Sequence, residues 1–134
     1  MADVVTTQTI QDGQRKAVMK FTNVSDGTGE SAVAKVDVSA LQANAKGDAC
    51  TSVTIQRIYW ACRGMGVDLL FDATTNVLIT GLPADSTGDE YYDNFTGIPN
   101  NAGSGKTGDI LFTTLGHSAG DTYSIILELV KEYG

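Results

Sequence analysis

The sequence contains few of the residues that most catalytic and metal sites require. Its 134 residues include one histidine and two cysteines, which leaves little material for a zinc site. The 16 acidic residues outnumber the nine basic ones, and the resulting formal charge of −7 repels phosphate backbones. We therefore expect no resident metal or other cofactor, and no binding to nucleic acid.

Long apolar segments are also missing. No run approaches the roughly 20 residues of a membrane-spanning helix, and we expect no membrane contact. Residues 1–5 contain neither a basic segment nor an apolar one, so no secretory signal is expected. The chain is then made in a reducing compartment, where Cys50 and Cys62 are expected to remain free thiols with a structural role.

What the sequence does contain is typical of β-structure. Threonine and valine are frequent, and they fit a pleated, half-buried surface. The 15 glycines suit tight turns, and there are only two prolines. The length fits one domain over residues 1–134. These features predict an all-β fold, an antiparallel β-sandwich of jelly-roll type with about eight or nine short strands.

Alternation of apolar and polar residues locates most of the strands. Strands are predicted at 16–23, 33–38, 52–62, 67–72, 77–82, 91–95 and 109–114. The second of these is expected to close a hairpin with the first. Residues 1–10 are interpreted as an extended N-terminal arm or an edge strand, and one short helix is allowed near 40–46, capped by Ser39. Residues 122–133 fit a helix or a strand, and their β-branched and aromatic content favours a strand.

Two segments imitate catalytic motifs but lack the context that those motifs need. Residues 116–120 match the G-x-S-x-G nucleophile elbow, yet the only histidine, His117, is the direct neighbour of Ser118. Residues 100–107 end like a phosphate-binding loop, but Asn100 replaces the first glycine and a strand follows instead of a helix. Both segments are predicted to be turns or loops, and the chain is not expected to be an enzyme.

Acidic residues gather in several predicted turns, which is the setting in which calcium is bound. They are Asp26, Glu30, Asp85, Asp89 and Asp93. Their spacing does not match the ligand pattern of an EF-hand loop. We therefore interpret them as solvated turn residues and predict no metal site.

The aromatic residues offer either a core or a stacking platform for sugars or a protein partner. The candidates are Tyr59, Trp60, Tyr91, Tyr92, Phe95 and Tyr133. Such residues are buried more often than not. Because adjacent residues of a strand face opposite sides, either Tyr91 or Tyr92 should lie at a surface or interface.

Several blocks of the chain resemble small virion proteins of tailed bacteriophages. The resemblance lies in residues 21–30 and 36–39, in 70–74, in 100–110, and in 120–123 with the apolar strand that ends at Lys131. Some proteins of this group resemble capsid decoration (cement) proteins. The resemblance implies a non-enzymatic structural protein on the capsid exterior, assembled in the cytoplasm of a bacterial host.

The expected partners are the major capsid protein and further copies of the chain, for example as a trimer at a local three-fold axis. The candidate contact residues come from the N-terminal segment, a tyrosine pair and a long loop: Asp3, Val4, Val5, Thr6 and Thr7, Tyr91 and Tyr92, and Asn100, Asn101 and Lys106. Two alternatives remain open. One is a component of the tail or of the head–tail connector, and the other is a carbohydrate-binding β-sandwich.

Overall fold

A computed structural model describes residues 3–92 and 97–133 of the chain. This part contains nine strands and one short 3-10 helix, Val38–Ala40. The strands are β1 (Val4–Asp12), β2 (Lys16–Val24), β3 (Val33–Val36), β4 (Cys50–Arg63), β5 (Gly66–Phe71), β6 (Val77–Leu82), β7 (Thr87–Tyr91), β8 (Ile110–Leu115) and β9 (Thr122–Tyr133). Within these residues no helix is long and apolar enough to cross a membrane.

The strands form two antiparallel sheets, which confirms the predicted all-β sandwich. The first sheet has the order β1-β2-β9-β4-β7, and the second has the order β3-β8-β5-β6. Without β1, these are the two interleaved four-stranded sheets of a jelly roll. Strand β1 is an addition to one edge, so the first sheet has five strands and the second has four.

One continuous apolar core lies between the two sheets. The ring of Phe112 in the second sheet meets those of Phe21 and Tyr123 in the first, edge to face, at centroid distances of 5.1 and 5.8 Å. All three side chains are fully buried. Such offset aromatic contacts add to the stabilisation that burial itself provides.

Residues 122–133, whose sequence fits either a helix or a strand, form β9, the central strand of the first sheet. It pairs with β2 on one side and with β4 on the other. Tyr123, Ile125, Leu127 and Leu129 all point into the core, and the residues between them are half-buried on the outer face. A strand satisfies this arrangement because its side chains alternate with a period of two, and the predicted strand is confirmed.

Three of the predicted local features are wrong in position or pairing. Strand β3 pairs with β8 in the second sheet and forms no hairpin with β2, because the turn at 25–32 crosses from one sheet to the other. The helical turn lies at Val38–Ala40, and Asp37 is its cap instead of Ser39. The strand predicted at 91–95 lies earlier, as β7, and residues 93–95 are outside the described part.

Candidate functional site

Strand β1 is an unprotected sheet edge. Among residues 3–92 and 97–133 it pairs only with β2, and every side chain from Val4 to Gln11 is exposed, with Val4 at 70% and Ile10 at 52%. None of these eight residues is charged. Natural edge strands are usually shielded by charged residues, proline or a covering segment, so a long neutral edge of this kind is suited to pairing with another strand.

The N-terminal segment was predicted to be either an extended arm or an edge strand, and β1 is an edge strand of its own domain. Asp3 fixes its beginning to the turn after β2. The Asp3 carboxylate accepts hydrogen bonds from the side chain of Asn23 (3.1 Å) and from the backbone N–H groups of Asp26 (3.1 Å) and Gly29 (3.2 Å). Desolvation raises the pKa of Asp3, but these hydrogen bonds outweigh it, and the net effect is a pKa below the usual value.

This carboxylate makes stability depend on pH. Because the pKa of Asp3 in the folded state lies below its unfolded value of 3.8, its contribution is complete above that value and is lost as the pH falls through the folded pKa. We expect Asp3→Asn to lower the free energy of unfolding near neutral pH and to have less effect under acid conditions. Urea unfolding of both proteins between about pH 2.5 and pH 6 measures this. A pH-independent loss in Asp3→Asn would contradict the prediction.

The other end of β1 is fixed by a buried ion pair. The ammonium of Lys131, whose side chain is fully buried, pairs with the carboxylate of Asp12. It also donates to the backbone carbonyl of Gln42 (2.9 Å). The same carboxylate accepts from the backbone N–H of Gln42 at 3.0 Å. Both ends of β1 are therefore held, while its outer edge stays open.

The long loop before β8 is anchored at several places and exposed between them. Ile98 forms a β-bridge with Ile55 of β4, Ala102 packs against the core, and Thr107 donates to the carboxylate of Asp72 (2.8 Å). The predicted contact residues Asn101 and Lys106 are exposed. Asn100 is half-buried and accepts from the backbone N–H of Ala102 (2.9 Å), which is the role of a turn residue.

The tyrosine pair divides between an exposed and a half-buried position. Tyr91 ends β7 and is 51% exposed. Tyr92 is half-buried, its backbone N–H donates to the carbonyl of Gln56 (2.9 Å), and burial raises the pKa of its hydroxyl. Trp60 is turned toward the core, where its ring lies against Gly88 and its indole N–H donates to Ser86 (3.1 Å).

A charged group that sequence reasoning missed lies beside Tyr91 on the outer face of the first sheet. The guanidinium of Arg57 on β4 donates to both oxygens of Asp89 on β7 (2.8 and 2.6 Å) and to Glu128 on β9 (3.2 Å). Hydrogen bonding to Asp89 raises the pKa of Arg57, and the same bonds lower that of Asp89. Pairing of Arg57 with Tyr91 and of Tyr59 with Asp89 puts both tyrosines on the same face.

The two segments that imitate catalytic motifs are connections between strands. Ser118 lies in the turn that crosses from β8 in the second sheet to β9 in the first, where its backbone N–H donates to Asp121 (2.8 Å). The imidazole of His117 contacts the hydroxyl of Thr114 (3.1 Å) and lies against Gly29. The loop at 100–107 leads into strand β8. Neither segment has the strand-to-helix geometry that its motif requires.

The acidic turn residues are held by protein groups, and one of them is not solvated as predicted. The side chain of Glu30 is almost fully buried, where it pairs with Lys35 and accepts from the hydroxyl of Tyr123 (2.6 Å). Asp85 accepts from the backbone N–H of Gly64 (2.8 Å), and Asp93 lies outside the described residues. In the part of the chain that the structure describes, no cluster of histidine, cysteine and carboxylate groups could hold a metal ion.

Both cysteines are free and buried in the core. Burial raises the pKa of each thiol, that of Cys62 to about 11. Since the thiolate is the reactive form, these side chains are poor nucleophiles in the folded protein.

Comparisons with known proteins identify no relative from which a role could be transferred. No protein-family model matches the chain, and neither the curated proteins nor the solved structures contain a match. The candidate surfaces therefore rest on their own geometry: the open edge of β1, the exposed part of the loop before β8, and the outer face around Arg57.

Proposed function

We propose that this chain is a non-enzymatic structural protein of a bacteriophage virion, namely a capsid decoration protein that binds the outside of the shell and stabilises it. The observation that carries the proposal is the open edge of β1. Eight uncharged, exposed residues present unpaired backbone groups there, and an extended segment of a capsid subunit can add to such an edge as a further strand.

The remaining features are consistent with this role. A jelly roll is a stable scaffold that viral capsid domains use, and the ties at Asp3 and Asp12 hold β1 in a fixed position for docking. Asn101 and Lys106 supply a second exposed patch. Binding through several such patches, in several copies of the chain, would cross-link neighbouring capsid subunits by multivalent contact.

The abundance of the chain in purified phage particles tests the proposal. We expect a copy number close to that of the major capsid protein, as well as shells that rupture more easily in mild denaturant once the chain is removed. A handful of copies per particle would instead assign it to the tail or the connector. Absence from the particles would contradict a virion role.

The role of the open edge is tested by placing a charge on it. Thr7→Lys should reduce rebinding to stripped particles by more than about tenfold, since an edge lysine opposes strand addition. Thr87→Lys makes the same change at an exposed position on β7, at the opposite edge of the same sheet, and should bind normally. Equal binding by both variants would exclude β1 as the contact.

A further inference from the structure

The outer face of the first sheet carries two exposed aromatic rings, on strands β4 and β7, at the side of the sheet opposite β1. Tyr59 on β4 is 40% exposed and Tyr91 on β7 is 51% exposed. Each lies opposite a member of the charged group, Tyr91 beside Arg57 and Tyr59 beside Asp89. The two tyrosines are thus diagonal neighbours about 7–8 Å apart, a spacing that one oligosaccharide can span.

The charged group between the rings is paired within itself and carries a formal net charge of −1 from one guanidinium and two carboxylates. Arg57 uses three of its five N–H donors on Asp89 and Glu128. The carboxylates retain free lone pairs, and the side chains of Arg57 and Asp89 are about two-fifths exposed, at 42% and 43%. An anion would meet both carboxylates, and a cation would meet the guanidinium at the centre. A neutral ligand that both donates and accepts hydrogen bonds meets no such repulsion.

The depression on this face has the size of a small ring compound. It encloses about 240 Å³ and is lined by Arg57, Tyr59, Ile126 and Glu128. This volume is below the roughly 300–1,000 Å³ of sites for drug-sized ligands. Its lining combines the apolar Ile126 and the ring of Tyr59 with the hydrogen-bonding groups of Arg57 and Glu128, and Tyr91 lies beside it, opposite Arg57.

We propose that the outer face of β4, β7 and β9 binds a neutral carbohydrate. The apolar face of one sugar ring packs on Tyr59 in the depression, and Tyr91 contacts the same oligosaccharide beside it. Its hydroxyl groups donate to Asp89 and Glu128 and accept from the free N–H groups of Arg57. A neutral sugar joins an apolar ring face to a rim of uncharged donors and acceptors, which matches the groups on this face.

This site is independent of the proposed contact with a capsid. Strand β4 lies three strands from β1 in the first sheet, which corresponds to about 14 Å at the usual strand spacing. A segment added to β1 therefore leaves the tyrosines uncovered. The protein could occupy its edge and bind sugar on its face at the same time.

A glycan array of neutral and acidic oligosaccharides, probed with the labelled full chain, tests the proposal. We expect retention on neutral glycans, a loss of about tenfold or more in Tyr91→Ala and in Tyr59→Ala, and retained binding in Tyr91→Phe, which keeps the ring. Leu78→Ala removes an equally exposed apolar side chain on β6 and should bind like the wild type. Near-ultraviolet circular dichroism checks that each variant is folded.

Three results would each overturn the proposal. They are retention only on acidic glycans, binding that survives the loss of both tyrosines, and wild-type retention no higher than that of the variant that lacks both tyrosines. Thr7→Lys should bind glycans normally. A failure of the glycan proposal can therefore be distinguished from a failure of the proposed capsid contact at β1. Chemical-shift changes in the folded protein on addition of the best neutral oligosaccharide should centre on Arg57, Tyr59 and Ile126, and changes centred on β1 would place the site elsewhere.

Discussion

Replacement of Phe112 by alanine is expected to lower the free energy of unfolding by about 3–5 kcal/mol. The Phe112 side chain is fully buried and joins the two sheets through its edge-to-face contacts with Phe21 and Tyr123. The rings on either side belong to paired strands and cannot close the space without distorting the ladder between β2 and β9. The loss therefore includes a cavity as well as the transfer of a phenyl ring to water.

Urea and thermal unfolding measure this loss, which corresponds to a fall in Tm of about 10 °C or more for a chain of this size. Tyr91→Ala is the matched control, because it removes an aromatic ring that is half exposed, and it should change stability little. Phe112→Leu should fall between the two. A loss in Phe112→Ala no larger than that of the control would mean that the two sheets do not meet at this ring.

Removal of the carboxylate that faces Lys131 is expected to be almost as damaging. Asp12→Asn leaves the buried ammonium with neutral acceptors alone, the carbonyl of Gln42 and the new amide oxygen, and loss of the compensating charge of a buried pair costs roughly 3 kcal/mol. Lys131→Met removes the charge together with its burial penalty, so it should destabilise the protein less than Asp12→Asn.

Denaturant unfolding of the two variants at neutral pH provides the comparison. Asp89→Asn is the surface counterpart, since its partner Arg57 remains accessible to water and keeps Glu128, and little change in stability is expected there. A smaller loss in Asp12→Asn than in Lys131→Met would show that the ammonium is satisfied without the carboxylate. This end of β1 would then be held by apolar packing of the aliphatic part of the Lys131 side chain.

Strand positions follow from local patterns, and most of them could be predicted. In β2, for example, Ala17, Met19 and Phe21 are buried, and they alternate with Val18, Lys20 and Thr22 on the outer face. Strand β9 was distinguished from a helix by its β-branched and aromatic residues. The partner of each strand could not be predicted in this way. The turn after β2 suits a hairpin, yet β3 crosses to the second sheet because Val36 there enters the core and pairs with β8.

The outer face around Arg57 depends on an irregularity that no local pattern shows. Strict alternation would put Ile55, Arg57 and Tyr59 on one face of β4. The register shift between Ile55 and Arg57 breaks that alternation, so Ile55 and Ile58 are both buried while Arg57 and Tyr59 face outward. A bulge arises when a strand pairs with its neighbour. Only the pairing of β4 with β9 therefore shows where the charged group lies.

The sequence by itself determined the all-β class, the turns and the residues that alternate into the core, because these follow from backbone preferences and a period of two. Only the tertiary structure decided which side chains are accessible. Glu30 looks like a solvated turn residue but is buried against Lys35 and Tyr123, and β1 looks like any other strand but is open on one edge. Burial depends on residues distant in the chain, so the candidate surfaces became visible only when the sheets were assembled.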